Sequence, residues 1–451
     1  MTAPTRRRFS LMSAFAFVAA ALLAGLQACG DAGTTDRNKA QIRLVNATGS
    51  GAGSSAGYPQ LALRLNDELR QGQVAYGDNA VYAEVDDGSP TLTLHSQGSS
   101  TALLTASTSL SKGRYYSVLA YGNAGNLRQV LLDDNQSDPD ANKALLRVVN
   151  AAPDSGAFDV FLTASNEDLL AAVPLQSAAS YGALGSWLTV ASGSWRLRVT
   201  AANNRADVRL DIDGLSLASR QAGTVVLTPG SGGVLTNALL LTQRGSITRL
   251  ANTQARVRVV AGLSGPGAVT ASVAAQKVAD GVSSPSVGSY VAVSAVNPVV
   301  ELTVGGNAAP VSGTGPSAGA DLTLLVQGST DMTAQQAGAW TPRGTWIADD
   351  NRAPSDATQV RLRLVNGLSS PQDHLSLTVD FVTLGGRVTP ARASPYELTA
   401  AGTTLTLRVT REGDSAPLFT ATGQTLLAGG TYSVFVVGSA AVPVGIVRRD
   451  R

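Results

Sequence analysis

The chain has 451 residues, with 34 Lys and Arg against 32 Asp and Glu and a formal net charge of +2. Near-balanced charge without a polybasic run excludes nucleic-acid binding by counterion release, which takes many phosphate contacts. One cysteine and two histidines exclude a disulfide framework and argue against a histidine-built zinc site.

Arg6, Arg7 and Arg8 open a basic leader, and an apolar stretch from Leu11 to Gly25 follows. This is short of the ~20 apolar residues of a membrane span and fits a signal-peptide core. It runs into Leu26-Gln27-Ala28-Cys29, which resembles a bacterial lipobox. The resemblance implies a diacylglycerol on the Cys29 sulfur, cleavage just before it and acylation of the new amino terminus. Residues 1–28 are therefore read as a lipoprotein signal peptide and 29–40 as a tether. Several acyl chains give durable anchoring, at ~0.8 kcal/mol per buried methylene. Gly30, rather than aspartate, follows the cysteine and favours the outer membrane. Thr5-Arg6-Arg7-Arg8-Phe9 is similar to a twin-arginine export motif with Ser10 in place of leucine, so general secretion and twin-arginine export both stay open.

Beyond the tether one unit recurs four times at intervals of roughly 100 residues. Each copy opens on an arginine and an apolar pair: Arg43-Leu44-Val45-Asn46, Arg147-Val148-Val149-Asn150, Arg258-Val259-Val260 and Arg363-Leu364-Val365-Asn366. An aromatic sits near each midpoint, at Tyr82, Trp187, Tyr290 and Tyr396, and an alternating strand comes next, as in Trp195, Leu197 and Val199. Period two with one polar face predicts half-buried antiparallel strands. A turn glycine then leads into a late apolar strand, clearest at Gly113-Arg114-Tyr115-Tyr116 and Gly430-Thr431-Tyr432. In these two units the tyrosine resembles a tyrosine corner, whose phenol bonds backbone across the turn. The expected fold is all-β: tandem immunoglobulin-like antiparallel β-sandwiches at 41–142, 143–252, 253–358 and 359–451.

Acidic connectors separate the units at 133–140 and 349–356. Asp133, Asp134, Asn135, Asp138 and Asp140 crowd five oxygen-bearing side chains together. Calcium takes six to eight such oxygens, so these five are candidate calcium ligands, with a solvated linker as the alternative. No other cofactor is expected.

Arg147-Val148-Val149-Asn150-Ala151-Ala152-Pro153-Asp154, followed by Phe158-Asp159-Val160-Phe161, is similar to DUF4397, a bacterial family of uncharacterised domains. The aromatic midpoint, an Ala-Gly turn such as Ala428-Gly429 and the closing Asp-Asp of units one and three fit the same family. The second unit carries the opening motif best, and the third lacks the Pro-Asp step. The resemblance implies secreted or surface β-domains of unknown function and transfers no catalytic residue.

Signals for catalysis are weak. Gly-x-Ser-x-Gly occurs around Ser55 and Ser317, but a nucleophile elbow needs a strand-turn-helix on a parallel sheet. Gly51-Ala52-Gly53 lacks the helix of a phosphate loop. Asp86-Asp87 and the pair Asp211 and Asp213 would need a cleft to act as glycosidase carboxylates, and turn carboxylates more often cap or solvate. His95 and His374 are expected as solvated side chains. The resulting expectation is a lipid-anchored cell-envelope protein, noncatalytic, structural or binding glycan or protein. The alternative is a carboxylate- or serine-dependent envelope hydrolase. Cys29→Ala is expected to abolish metabolic lipid labelling and release the protein from the membrane fraction; unchanged retention contradicts the anchor.

Overall fold

The computed structural model describes residues 38–49, 58–78 and 80–451. Cys29, Ser55 and Gly51-Ala52-Gly53 lie outside them. The described chain is almost entirely strand, with one short helix, Met332–Gln336, capped by the Asp331 carboxylate accepting from the Thr333 N–H. No helix among the described residues is long and apolar enough to cross a membrane.

Each repeat folds into a sandwich of two sheets. In the first, the opening strand Ala40–Asn46 lies between Ala83–Val85 and the late strand Tyr115–Asn123, with the closing strand Asn126–Asp133 beyond it. The facing sheet runs in the order Glu68–Ala75, Gln60–Leu65, Thr91–Ser96 and Ala102–Ser107. The other units repeat this plan. Their opening strands are Lys143–Asn150, Gln254–Ser264 and Gln359–Leu368. Their late strands are Ala222–Pro229, Asp321–Ser329 and Thr431–Gly438, and their closing strands Thr236–Thr242, Arg343–Asp349 and Pro443–Arg449. Alternating apolar side chains from both sheets fill each core: Ile42, Leu44, Leu61, Leu63, Leu92 and Val118 are fully buried in unit one.

Two features depart from a purely antiparallel, one-faced sandwich. In every unit the opening and late strands pair in parallel. Parallel neighbours need a long crossover, and here the whole facing sheet serves as that connection. The late strands are also buried along their whole length in units two to four. Their second face packs on another unit. Val45, Leu119, Tyr121 and Leu132 of unit one close a seam against Val149, Val226, Leu239 and Leu241 of unit two. Val260, Leu325 and Ile347 of unit three do the same against Val365, Phe435 and Val437 of unit four. The four sandwiches thus form two pairs, each four sheets deep. Strands buried on both faces read as near-continuous apolar runs, which explains Tyr432-Ser433-Val434-Phe435-Val436-Val437.

The motif asparagines fasten the end of the opening strand. Asn46 donates to the Tyr58 and Val74 carbonyls and accepts from the Thr48 N–H. Asn150 and Asn366 make the equivalent three bonds in their own units. Unit three has Ala261 at this position, and Ser284 instead donates to the Ala261 and Leu263 carbonyls. Tyrosine corners are present where the sequence placed them: the phenol oxygens of Tyr116 and Tyr432 accept from the N–H groups of Ser111 and Leu427 at 3.1 and 2.9 Å.

The pairs also dock on one another. The Gly232 N–H donates to the Gly319 carbonyl at 2.8 Å, and its own carbonyl accepts from the Asn351 N–H at 3.0 Å. Asp154, the acidic residue of the Pro-Asp step, is 3% exposed there and accepts from Asn123 of unit one at 3.2 Å. Burial pushes its carboxyl up, against the pull of Asn123, Arg451 and Arg352. A Cβ on Gly232 would stand 2.4 Å from the Asp321 nitrogen, closer than real Cβ contacts come. Gly232→Ala should therefore loosen this docking and enlarge the radius of gyration in solution scattering. Gly386→Ala, where a Cβ meets nothing within 4 Å, should leave it unchanged. Identical scattering from the two variants argues against the docking.

Candidate functional site

The parallel register sets each opening arginine beside a hydroxyl of the late strand: Arg43 with Ser117, Arg147 with Thr224, Arg258 with Thr323 and Arg363 with Ser433. All four guanidiniums donate through Nε to that hydroxyl, at 2.7, 2.9, 2.8 and 2.9 Å. All four are buried, at 1, 6, 1 and 2% exposure. The midpoint aromatic stacks on each one. Tyr82, Trp187, Tyr290 and Tyr396 lie 4.6, 4.2, 4.6 and 4.5 Å below their arginines. Arginine and aromatic were each legible as repeats, but their contact was not, since tens of residues separate them.

A buried cation needs a carboxylate, and units one, three and four supply it at the end of the closing strand, on its last residue in unit three and one residue beyond it in units one and four. Asp134 accepts from Tyr82 and Ser117, Asp349 from Tyr290 and Thr323, and Asp450 from Tyr396 and Ser433. Between units three and four the charges are exchanged. Arg363 bonds Asp349 of unit three, and Arg258 bonds Asp450 of unit four. The contact is self-complementary, like the isologous interface of a two-fold dimer. Arg256 and Arg361 flank this exchange, stacking on Tyr290 and Tyr396 and bonding Asp321 and Asp350.

Units one and two follow the same plan with one member changed. Gln243 occupies the place of the carboxylate and exchanges two 2.8 Å bonds with the Gln136 backbone. Arg43 crosses the seam to the Gly245 and Thr242 carbonyls instead. Arg147 keeps its hydroxyl and its Trp187, but its Nη2 has no hydrogen-bond partner.

The connector residues resolve into separate roles. Asp133 pairs with Arg114, Asp134 is the buried seam carboxylate, and Asn135 clasps both backbone groups of Tyr115. Asp138 and Asp140 are exposed. No group of three or more His, Cys, Asp or Glu able to hold a metal occurs among the described residues. The expectation of solvated Asp-Asp connectors is corrected for Asp134 and Asp349, which are 6 and 3% exposed. His95 is likewise buried, at 5%, with Nε2 2.9 Å from the Thr93 hydroxyl. Of the other candidates, Asp211 forms a two-bond pair with Arg196, Asp213 accepts from Ser165, Asp86 pairs with Lys39, and Ser317 sits exposed in a turn.

These environments set the acid–base behaviour. Burial alone would raise Asp349, but Arg363, Arg258 and the bonds from Thr323 and Tyr290 hold it below the ordinary range. Burial opposes Asp350 too, and Arg352 and Arg361 outweigh it. Burial, reinforced by Asp349 and Asp450, pushes Tyr290 and Tyr396 far up. Carboxyls held low contribute stability that is complete above their unfolded value of ~3.9 and is lost as pH falls from there to the folded value. Tyrosines pushed up contribute below ~10 and lose that contribution as pH rises further. From these groups the melting temperature should fall below pH ~3.9 and above pH ~10, while Asp154, raised by burial, subtracts stability as pH rises from ~3.9 to its folded value. Asp349→Ala leaves Arg363 without its carboxylate and should destabilise by about 3–5 kcal/mol, and Asp349→Asn should flatten the acid limb. An acid limb unchanged in Asp349→Asn would contradict this assignment.

No curated protein matches the chain. Solved structures similar to parts of it include a candidate cell adhesion protein from Bacteroides ovatus, at 10% identity over 69% of this chain and 97% of that one, with a TM-score of 0.14. The pilus adhesin SpaC from Lactobacillus rhamnosus GG matches at 10% identity over 91% of this chain and 40% of its own, with a TM-score of 0.13. The site stands on its own geometry. A family model spans the first unit and the opening of the second as far as Phe161, whereas the motif reading centred on unit two. Residues 40–161 match the family model of DUF4397, a domain of unknown function.

Proposed function

We propose that this chain is a lipid-anchored protein of the bacterial cell envelope that serves as a noncatalytic structural and binding module. Cys29 would hold it to the outer membrane, and the four sandwiches would form a stiff spacer presenting loops to a glycan or an envelope protein. One observation carries the reading. The buried carboxylates most suited to chemistry, Asp349 and Asp450, are bound to arginines across the seam between units three and four and accept from phenols and hydroxyls of their own units. Groups matched in this way fix geometry, and an acid or base catalyst must instead be free to exchange a proton with substrate. The candidate hydrolase residues Asp211 and Ser317 lie in an ion pair and an exposed turn.

The test joins binding to turnover. The full chain should be retained on isolated envelopes or on immobilised envelope glycans. Against panels of esters and glycosides it should show no turnover above that of Asp211→Asn and Ser317→Ala. A turnover that either substitution abolishes would replace this reading with the hydrolase.

A further inference from the structure

The internal repeat offers its own control, because the seam between units three and four contains two clefts of the same construction. One, of about 580 Å³, is lined by Arg361, Arg363, Ser394 and Tyr396 of unit four and by Ile347 on the closing strand of unit three. Its counterpart, of about 420 Å³, is lined by Arg256, Arg258, Ser289 and Tyr290 of unit three and by Arg448 on the closing strand of unit four. Unit two closes one side of this second cleft with Asp207. Arg392 lines only the first cleft, Arg449 stands in the second where Ala348 stands in the first, and the clefts differ again at one seam position on the closing strand.

That position faces the late-strand hydroxyl. Leu132 pairs with Ser117, Leu241 with Thr224, Ile347 with Thr323 and Arg448 with Ser433. Residues directly opposite on antiparallel strands share a face, so all four point into a seam. Three are apolar and buried, at 1, 3 and 8% exposure. The fourth is an exposed arginine whose side chain makes no hydrogen bond or ion pair among the described residues.

The surrounding charges do not balance it. Arg256 is matched by Asp321, Arg258 by Asp450, and Asp207 by Arg209. Arg448 is left over, and its exposed neighbour Arg449 bonds the Arg451 carbonyl at 2.7 Å. Arg258 Nη2 is 3.6 Å from Asp349 in an ion pair, and Ser289 adds a hydroxyl to the lining.

We propose that the cleft between units two, three and four is an oxyanion site, built to take a phosphate or carboxylate group of an acidic envelope ligand. A guanidinium presents a planar fork that meets such a group with two parallel bonds. Arg448 supplies that fork, and Ser289 provides a donor beside it. The cleft has room for the charged end of a sugar, and the two arginines occupying the Tyr290 ring leave charge as its means of recognition. The inference extends the binding reading and is independent of the anchor, since it concerns the folded units alone.

The experiment titrates the full chain with inorganic phosphate and, separately, with glucuronate, following bound ligand by calorimetry and by phosphorus NMR. Saturable binding to either is expected, and the stronger arm names the class of ligand. Arg448→Ile installs the residue of the sister cleft, so folding should survive while Kd rises at least tenfold. Lys112→Gln removes the same charge from an exposed position in unit one and should change nothing. Ile347→Arg should create a second site in the sister cleft. Saturation by neither probe, or equal losses in Arg448→Ile and Lys112→Gln, would overturn the proposal. Either result would leave the membrane-release test of Cys29 untouched.

Discussion

Four buried guanidiniums govern this molecule. Removing an arginine from water is expensive unless a carboxylate and enough hydrogen-bond acceptors go with it, and the second pair meets that requirement with groups shared between two sandwiches. Each unit gives its own arginine a hydroxyl and an aromatic face. In the second pair the carboxylate comes from the neighbouring unit, through Arg258 to Asp450 and Arg363 to Asp349. A sandwich of this pair separated from its partner would lose the hydrogen-bonded ion pair of its buried arginine and expose an apolar sheet face to water. The units are therefore stable as pairs, and the pair is the natural folding and mechanical element of the chain.

The sheet architecture follows from the same requirement. The arginine must lie on the outward face of its sheet to meet a neighbour, and its core-facing flanks must be apolar to close the sandwich. The opening strand satisfies both: Ile42 and Leu44 enter the core of unit one while Arg43 and Val45 enter the seam. Parallel pairing with the late strand then aligns the arginine with a serine or threonine, which relays it to the seam carboxylate. Glycines at 232 and 233 let the unit-two loop approach the second pair closely enough for backbone bonds, so the two pairs form one body.

Repetition of a plan makes its exceptions informative. Gln243 leaves Arg147 without a carboxylate hydrogen bond and weakens the exchange in the first pair. Ala261 passes the asparagine's task to Ser284. Arg448 brings a free cation to a position that is otherwise apolar. The first two substitutions are absorbed by local hydrogen bonding, whereas the third opens a charged cleft to solvent, which is why binding is assigned there.

Much of this was legible in the residues. Period-two alternation and turn glycines specified strands, and the recurring arginine, aromatic and asparagine marked four copies of one unit. The corner tyrosines 116 and 432 were recognisable because their bonds span only a few residues. The sequence by itself determined the strands and the repeat, since both rest on short-range pattern. Tertiary structure alone decided that Asp134 and Asp349 are buried seam carboxylates, because Asp-Asp-Asn has the composition of an exposed turn and nothing local records what packs on it. It also decided the parallel pairing, the pairing of units and the cleft at Arg448. A guanidinium's partner is chosen by the low-dielectric space it enters, and that space is assembled from strands that lie far apart along the chain.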